Sequence, residues 1–250
     1  MRESILYDAL IVFAAGVLCT CAILMRPVLE TPASLEEEEI RRTIRKETEK
    51  GTDCTAEMWQ LLHAENSDFI AWLDFDSGLI SLPVVQGKDN EEYLSRNFDG
   101  SPGSQGTVFR HCSTGPDSPN QVLYGHTVYY DSKARFSPLA VLTTAAGLQE
   151  NGRLRLLFET EERTYDVCAA VYVTARELEE FGYDDPELSG ERKRRWLAYA
   201  TSHRAAGSGE TIKAEDRLLT LETCRRWDED THLVVLCREN GRKPAAQSSK

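Results

Sequence analysis

Leu218-Leu219-Thr220-Leu221-Glu222-Thr223-Cys224 is an apolar, threonine-rich run that stops on a cysteine and is followed by two arginines, Arg225 and Arg226. Its composition is that of a β-strand. Working outward, seven more runs share that character: residues 68–75, 79–85, 106–111, 121–126, 153–159, 163–175 and 232–237. Most are bounded by Gly, Pro, Asn or Asp, residues that favour turns over ladder positions. Eight short strands predict a mainly β chain folded as a barrel or sandwich. One stretch, 186–204, departs from the pattern. Pro186 and Ser189 open it, and Trp196, Leu197 and Ala200 recur at helical spacing, which predicts a helix inserted between strands six and seven.

Upstream of the strands the chain changes character. Residues 9–25 are apolar, and with Ile5, Leu6 and Tyr7 they form a run interrupted only by Asp8. A bilayer core needs roughly 20 such residues. Met25, Arg26 and Pro27 end the run where a cleaved leader would carry small residues, so the spacing predicts an uncleaved anchor. Arg2 precedes the run and Arg26, Arg41, Arg42, Arg45 and Lys46 follow it, so basic residues do not set its orientation. Residues 30–50 are charge-rich, with Glu37–Arg41 and Glu38–Arg42 at the i,i+4 spacing that supports an exposed helix. Residues 53–65 continue as an amphipathic helix with Met58, Leu61 and Leu62 on one face. The organisation expected is an anchor at 1–26, a stalk with N-terminal helices at 27–65, a catalytic β domain at 66–240 and a disordered tail at 241–250.

Composition narrows the function. The chain has 250 residues, 41% hydrophobic and 28% charged, which suits one folded domain with extra segments. Net charge is −12, and residues 1–26 sum to zero, so the whole deficit lies beyond them. An acidic domain is a poor partner for nucleic acid and a tolerant one for an amine-bearing partner. Seven cysteines include no C-x-x-C pair, which removes support for a zinc ribbon or a thioredoxin-like site.

Two residues carry chemistry. Cys224 ends its strand next to cationic groups, a setting that favours an exposed thiolate. His126 ends another strand in Tyr124-Gly125-His126-Thr127, where Gly125 permits a bend toward a barrel rim. The two are 98 residues apart in sequence, but two strand ends can meet on one rim, and thiol chemistry commonly pairs Cys with a His acting as acid and base. His111 and Cys112 are adjacent, and neighbours in a strand face opposite ways, so they form no dyad there. Cys168 and Cys237 lie in apolar runs and are expected in the core.

Thr220-Leu221-Glu222-Thr223-Cys224 resembles the T-L-x-T-C signature of sortases. Asn66-Ser67-Asp68-Phe69-Ile70-Ala71-Trp72-Leu73 and Leu82-Pro83-Val84-Val85-Gln86 are similar to the first strands of class B sortases. Asp89-Asn90, Tyr93-Leu94, Gly106-Thr107-Val108-Phe109 and Asn120-Gln121-Val122-Leu123-Tyr124-Gly125-His126 follow in the same order. The likeness runs from residue 66 to about 238, and the helix at 186–204 matches the extra helix that marks class B.

The resemblance implies an eight-stranded sortase-type β-barrel with N-terminal helices. It also implies a cysteine transpeptidase on the outer side of the membrane. The Cys224 thiolate would cleave a C-terminal sorting signal of a surface protein after Thr. An amine of a cell-wall precursor would resolve the thioacyl enzyme, with His126 moving the protons. No metal or organic cofactor is implied, and no nucleic acid. Tyr124, Thr220, Leu221 and Thr223 are the substrate-binding candidates. The family's third catalytic residue is an arginine on the strand after the cysteine; here His232 holds that place. An imidazole lacks the guanidinium's fork and permanent charge, so Arg226, Arg225 and, less suitably, Arg238 are alternatives. A catalytically weak binding protein, a hydrolytic peptidase and a zinc site of His126, Cys224 and His232 remain competing readings.

Overall fold

The computed structural model describes residues 56–128, 130–207, 212–225 and 228–245, with the backbone alone at Ala56, Glu57, Cys224, Arg225 and 228–230. Its strands are β1 (Phe69–Phe75), β2 (Ser81–Val85), β3 (Phe109–Arg110), β4 (Asn120–Tyr124), β5 (Arg153–Leu157), β6 (Glu161–Thr174), β7 (Ala206–Gly207), β8 (Leu218–Arg225) and β9 (Asp228–Pro244). Hydrogen bonding runs β5-β1-β2-β3-β4-β8-β9-β6 and closes through β5 and β6, so eight strands form a barrel and β7 is appended to β6. The predicted eight-stranded barrel is the one formed.

Alternation along β8 and β9 sorts side chains between two cores. Leu219, Leu221, Leu233, Val235 and Cys237 point into the barrel, against Leu73, Leu82, Leu123 and Leu154. Leu218, Val234 and Leu236 point outward into a second core with Val171, Val173, Phe181, Tyr183 and Trp196. Burial on both faces is why residues 233–237 read as an unbroken apolar run. Cys168 and Cys237 are buried, as expected.

The outer core is roofed by α3 (Ala175–Phe181) and α4 (Gly190–His203). Trp196, Leu197 and Ala200 are buried as their spacing predicts. The sequence reading missed α3, which starts directly off β6. Glu177 accepts from the Thr174 N–H at 2.9 Å, closing the first turn, and Gly182 ends the helix at φ 52°, a left-handed conformation that glycine adopts freely. A short helix α2 (Ala145–Glu150) precedes β5.

Three expectations are corrected. In α1 (Ala56–Glu65), Met58 and Leu62 are buried, but Leu61 is 69% exposed and Trp59 takes its place. Trp59 packs on Phe69 at 4.8 Å between ring centroids, over a cluster that includes Trp72 and Phe109. The buried stripe is Met58, Trp59 and Leu62. Second, the tail is not disordered from residue 241: β9 pairs with β6 as far as Glu161↔Pro244. Arg242 and Lys243 reach Glu161 and Glu162 across that ladder, so charge rather than apolar alternation continues the strand. Third, β4 stops at Tyr124, and His126 lies just beyond it. Among the described residues no helix is long and apolar enough to cross a membrane; the apolar run at 9–25 and the stalk to residue 55 lie outside the described residues.

Candidate active site

β4 and β8 are parallel neighbours, paired from Asn120↔Leu218 to Tyr124↔Glu222. The Gly125 N–H extends the ladder by donating to Glu222 O at 3.2 Å. Two residues further along each chain lie His126 and Cys224, the two residues expected to act together. The hydroxyls of Thr127 and Thr223 share a hydrogen bond of 2.8 Å at the same level, which ties the two chain segments to one another. β8 and β9 are antiparallel, and Cys224 is the register partner of His232. Positions 126, 224 and 232 therefore meet at one end of the barrel, on three adjacent chain segments.

Gly125 is glycine for a reason other than a bend. A Cβ there would sit 2.7 Å from the ring of Phe136, which is fully buried. Phe136 in turn donates its backbone N–H to His126 O at 3.1 Å. The His126 ring is held from the other side, with Nε2 2.8 Å from Leu94 O. A carbonyl only accepts, so Nε2 carries the hydrogen and Nδ1 is the basic nitrogen of the neutral ring. Leu94 is itself fixed through Tyr93, buried in the preceding 3-10 turn (Glu92–Leu94). The Tyr93 hydroxyl donates to Asp68 Oδ2 at 2.8 Å and accepts from Asn66 Nδ2 at 3.0 Å. Burial pushes the Tyr93 hydroxyl up to about 12, so it stays a neutral donor. The Asn66, Asp68 and Tyr93-Leu94 signals in the sequence thus converge on the histidine.

His232 Nδ1 lies 2.7 Å from Glu222 Oε1. The Glu222 side chain is 7% exposed and that of His232 29%. The hydrogen bond to Glu222 raises the pKa of His232, against partial burial, which lowers it.

The remaining candidates separate. Thr220 is buried and donates its hydroxyl to Asn120 Oδ1 at 2.8 Å. Asn120 Nδ2 donates to Tyr183 O at 2.9 Å and to Asp185 O at 3.1 Å, which fastens the α3–α4 connection to the barrel. Leu221 is part of the barrel core. Neither Thr220 nor Leu221 has surface to offer a substrate, and their expected binding role is corrected to a structural one. Thr223 is buried on Thr127. Tyr124 is half-buried, with its hydroxyl 3.3 Å from Asp184 Oδ2, and it borders the site. Burial, then Asp184 and Glu222, raise its pKa, so the phenol is neutral.

Arg238 pairs with Asp166 at 3.2 Å and is the register partner of Leu218, at the far end of β8 from Cys224, so it does not replace the family's arginine. Arg226 and Cys54 lie outside the described residues. Cys112 is half-exposed in the turn after β3, with its N–H bonded to Asn90 Oδ1 at 2.8 Å. Sequence reasoning passed over Glu222 and Asn120. Glu222 was findable, because two residues before Cys224 in a strand is the same face.

A closed eight-stranded barrel, with a histidine just past the end of β4 and a cysteine next to the last residue of its parallel neighbour β8, defines a sortase-type fold. The Sortase B of Listeria monocytogenes is 25% identical over 162 residues, 64% of this chain and 63% of that protein, just under two thirds of its length. The Sortase B of Staphylococcus aureus is 21% identical over 182 residues, 71% of this chain and 72% of that protein. Among solved structures, Clostridium perfringens Sortase B is 26% identical with a TM-score of 0.66, covering 73% of this chain and 100% of that one. The Staphylococcus aureus sortase B–substrate complex has a TM-score of 0.71 at 19% identity, covering 82% of this chain and 95% of that one. No family model matches the chain. These likenesses are all to class B sortases, and the chain shares their barrel fold.

Proposed function

We propose that this chain is a membrane-anchored cysteine transpeptidase acting on the C-terminal sorting signal of surface proteins. The observation that carries the reading is the β4–β8 register, which brings the His126 and Cys224 positions side by side and ties them through Thr127 and Thr223. The Cys224 thiolate attacks the carbonyl carbon after Thr in the signal. His126 takes the Cys224 thiol proton on Nδ1 and, as the C–N bond breaks, gives it to the leaving amine. An amine of a cell-wall precursor then attacks the thioester, passes its proton back to His126, and the C–S bond breaks to restore the thiolate. His232 offers the oxyanion a donor from the place of the family's arginine. The acidic chain suits an amine-bearing acceptor.

In this reading residues 1–26 anchor the chain in the membrane, and the stalk that follows holds the catalytic domain off its outer surface. Protease shaving of intact cells should then digest the domain, and full protection would contradict that placement.

The test is to incubate the protein with sorting-signal peptides, with and without an added amine, and to follow Cys224 by mass spectrometry. A thioacyl adduct on Cys224 that yields an amide product with amine supports transpeptidation. Release of free acid alone, unaffected by amine, indicates a peptidase. Peptide binding with no adduct indicates a binding protein, the reading that the loss of the arginine favours.

A further inference from the structure

His232 is bound by an acceptor that fixes what its ring can do. An ionised carboxylate accepts only, so at the 2.7 Å contact Nδ1 carries the hydrogen and donates to Glu222 Oε1. In the neutral ring that leaves Nε2 as a bare lone pair, which repels an oxyanion. Nε2 becomes a donor only when the ring is an imidazolium. A histidine in this tautomer therefore does an arginine's work in its charged form alone.

The surroundings favour that form. Glu222 is buried on the outer face of β8, where strand alternation also places position 224, and His232 is register partner to that position. On β6, the residue opposite His232 is Val173, which brings no charge. From β4, Tyr124 faces Glu222, and from the α3–α4 connection come Tyr183 and Asp184. Both phenols have their pKa raised, first by burial and then in part by the Glu222 charge, so they stay neutral. Asp184 adds a further acid. Among the described residues, His232 is the one basic side chain within ion-pair distance of Glu222.

We propose that Glu222, the x of T-L-x-T-C, is a positioning residue that fixes His232 in the donor-bearing form, so that a histidine–glutamate couple fills the place of the family's arginine. The inference rests on the transpeptidase reading for its consequence in the reaction, but the couple itself is measurable without turnover. The raised pKa of His232 agrees with it. The imidazolium is the working form, so acylation falls as pH rises through the His232 pKa. Removing the Glu222 charge lowers that pKa and brings the fall to lower pH.

The experiment has two readouts on the full chain. The first is the pH profile of Cys224 acylation between pH 5.5 and 9 for wild type, Glu222→Gln and His232→Arg. Glu222→Gln should acylate within about threefold of wild type at pH 5.5 and at least roughly tenfold more slowly at pH 8, part of the roughly 10²–10³-fold cost of losing an oxyanion donor outright. His232→Arg should lose the alkaline fall attributed to His232, because a guanidinium stays charged throughout. The second is the NMR titration of the His232 imidazole in the Cys224→Ala protein. It should titrate above the ordinary histidine value of about 6.5 and shift down in the Glu222→Gln background. An ordinary or lowered titration of His232 overturns the proposal whether or not Glu222→Gln folds. So does an unmoved pH profile in a folded Glu222→Gln protein. Failure of wild type to acylate at every pH defeats the transpeptidase reading instead, and leaves the titration to judge the couple.

Discussion

Gly125→Ala tests whether the histidine is held by packing as described. The new Cβ would lie 2.7 Å from Phe136 Cγ and 2.8 Å from Cδ2, where ordinary contact begins at 3.4 Å. The ring must retreat by about 0.7 Å within the buried cluster that also holds Leu139, Leu142 and Val108. Overpacking of this kind costs about 1–3 kcal/mol. The displacement reaches His126 through the Phe136 N–H bond to His126 O, and a shift near 1 Å at a catalytic group costs roughly 10²-fold in rate. The expected outcome is a loss of about 1–3 kcal/mol in urea unfolding together with about a hundredfold slower acylation of Cys224. Gly125→Ala/Phe136→Leu, which trims the clashing ring, should recover much of the stability. Wild-type stability and rate in Gly125→Ala would refute the reasoning, as would a double variant that is simply additive in its losses.

Cys224→Ala should abolish the thioacyl adduct and leave the fold intact; an adduct on Cys112 in that variant would move the nucleophile elsewhere. His126→Ala should lower turnover by at least about 10²-fold, and near-normal steady-state rates would mean that another residue carries the proton. Asn120→Ala should cost about 1–3 kcal/mol, because it orphans the Thr220 hydroxyl and the carbonyls of Tyr183 and Asp185, all in or beside a buried interface. Unchanged chemical denaturation would show that the α3–α4 connection is held by its apolar contacts alone.

The barrel was legible because most strands alternate or run apolar between turn residues, and because the outer core adds a second buried face to β9. What failed to show was set by partners on other elements of the fold. Leu61 and Trp59 both fit a helical stripe near Met58 and Leu62, and only Phe69 across the interface selects Trp59. The charged segment 241–244 reads as tail until β6 supplies Glu161 and Glu162 opposite it. Within the site, Cys224 and His126 stood out through strand ends and motif. Thr220 and Leu221 carry the same motif and turn out to be a buried bond and a core side chain. A motif records everything a local structure needs, and only part of that meets a substrate.

The exchange of arginine for a histidine–glutamate couple also redistributes charge. An arginine gives the barrel rim a donor and a net positive charge together. A protonated His232 bonded to an ionised Glu222 gives the donor with no net charge, and a thiolate is stabilised by net positive potential around it. Under the proposed roles, the support that one arginine would lend to both the oxyanion and the Cys224 thiolate is divided. The couple would serve the oxyanion, and the cationic support for the thiolate would fall to residues nearer in sequence. Arg225 and Arg226 directly follow the cysteine in a chain whose net charge is −12. Two consecutive arginines next to the nucleophile, against that acidic background, are what such a division calls for.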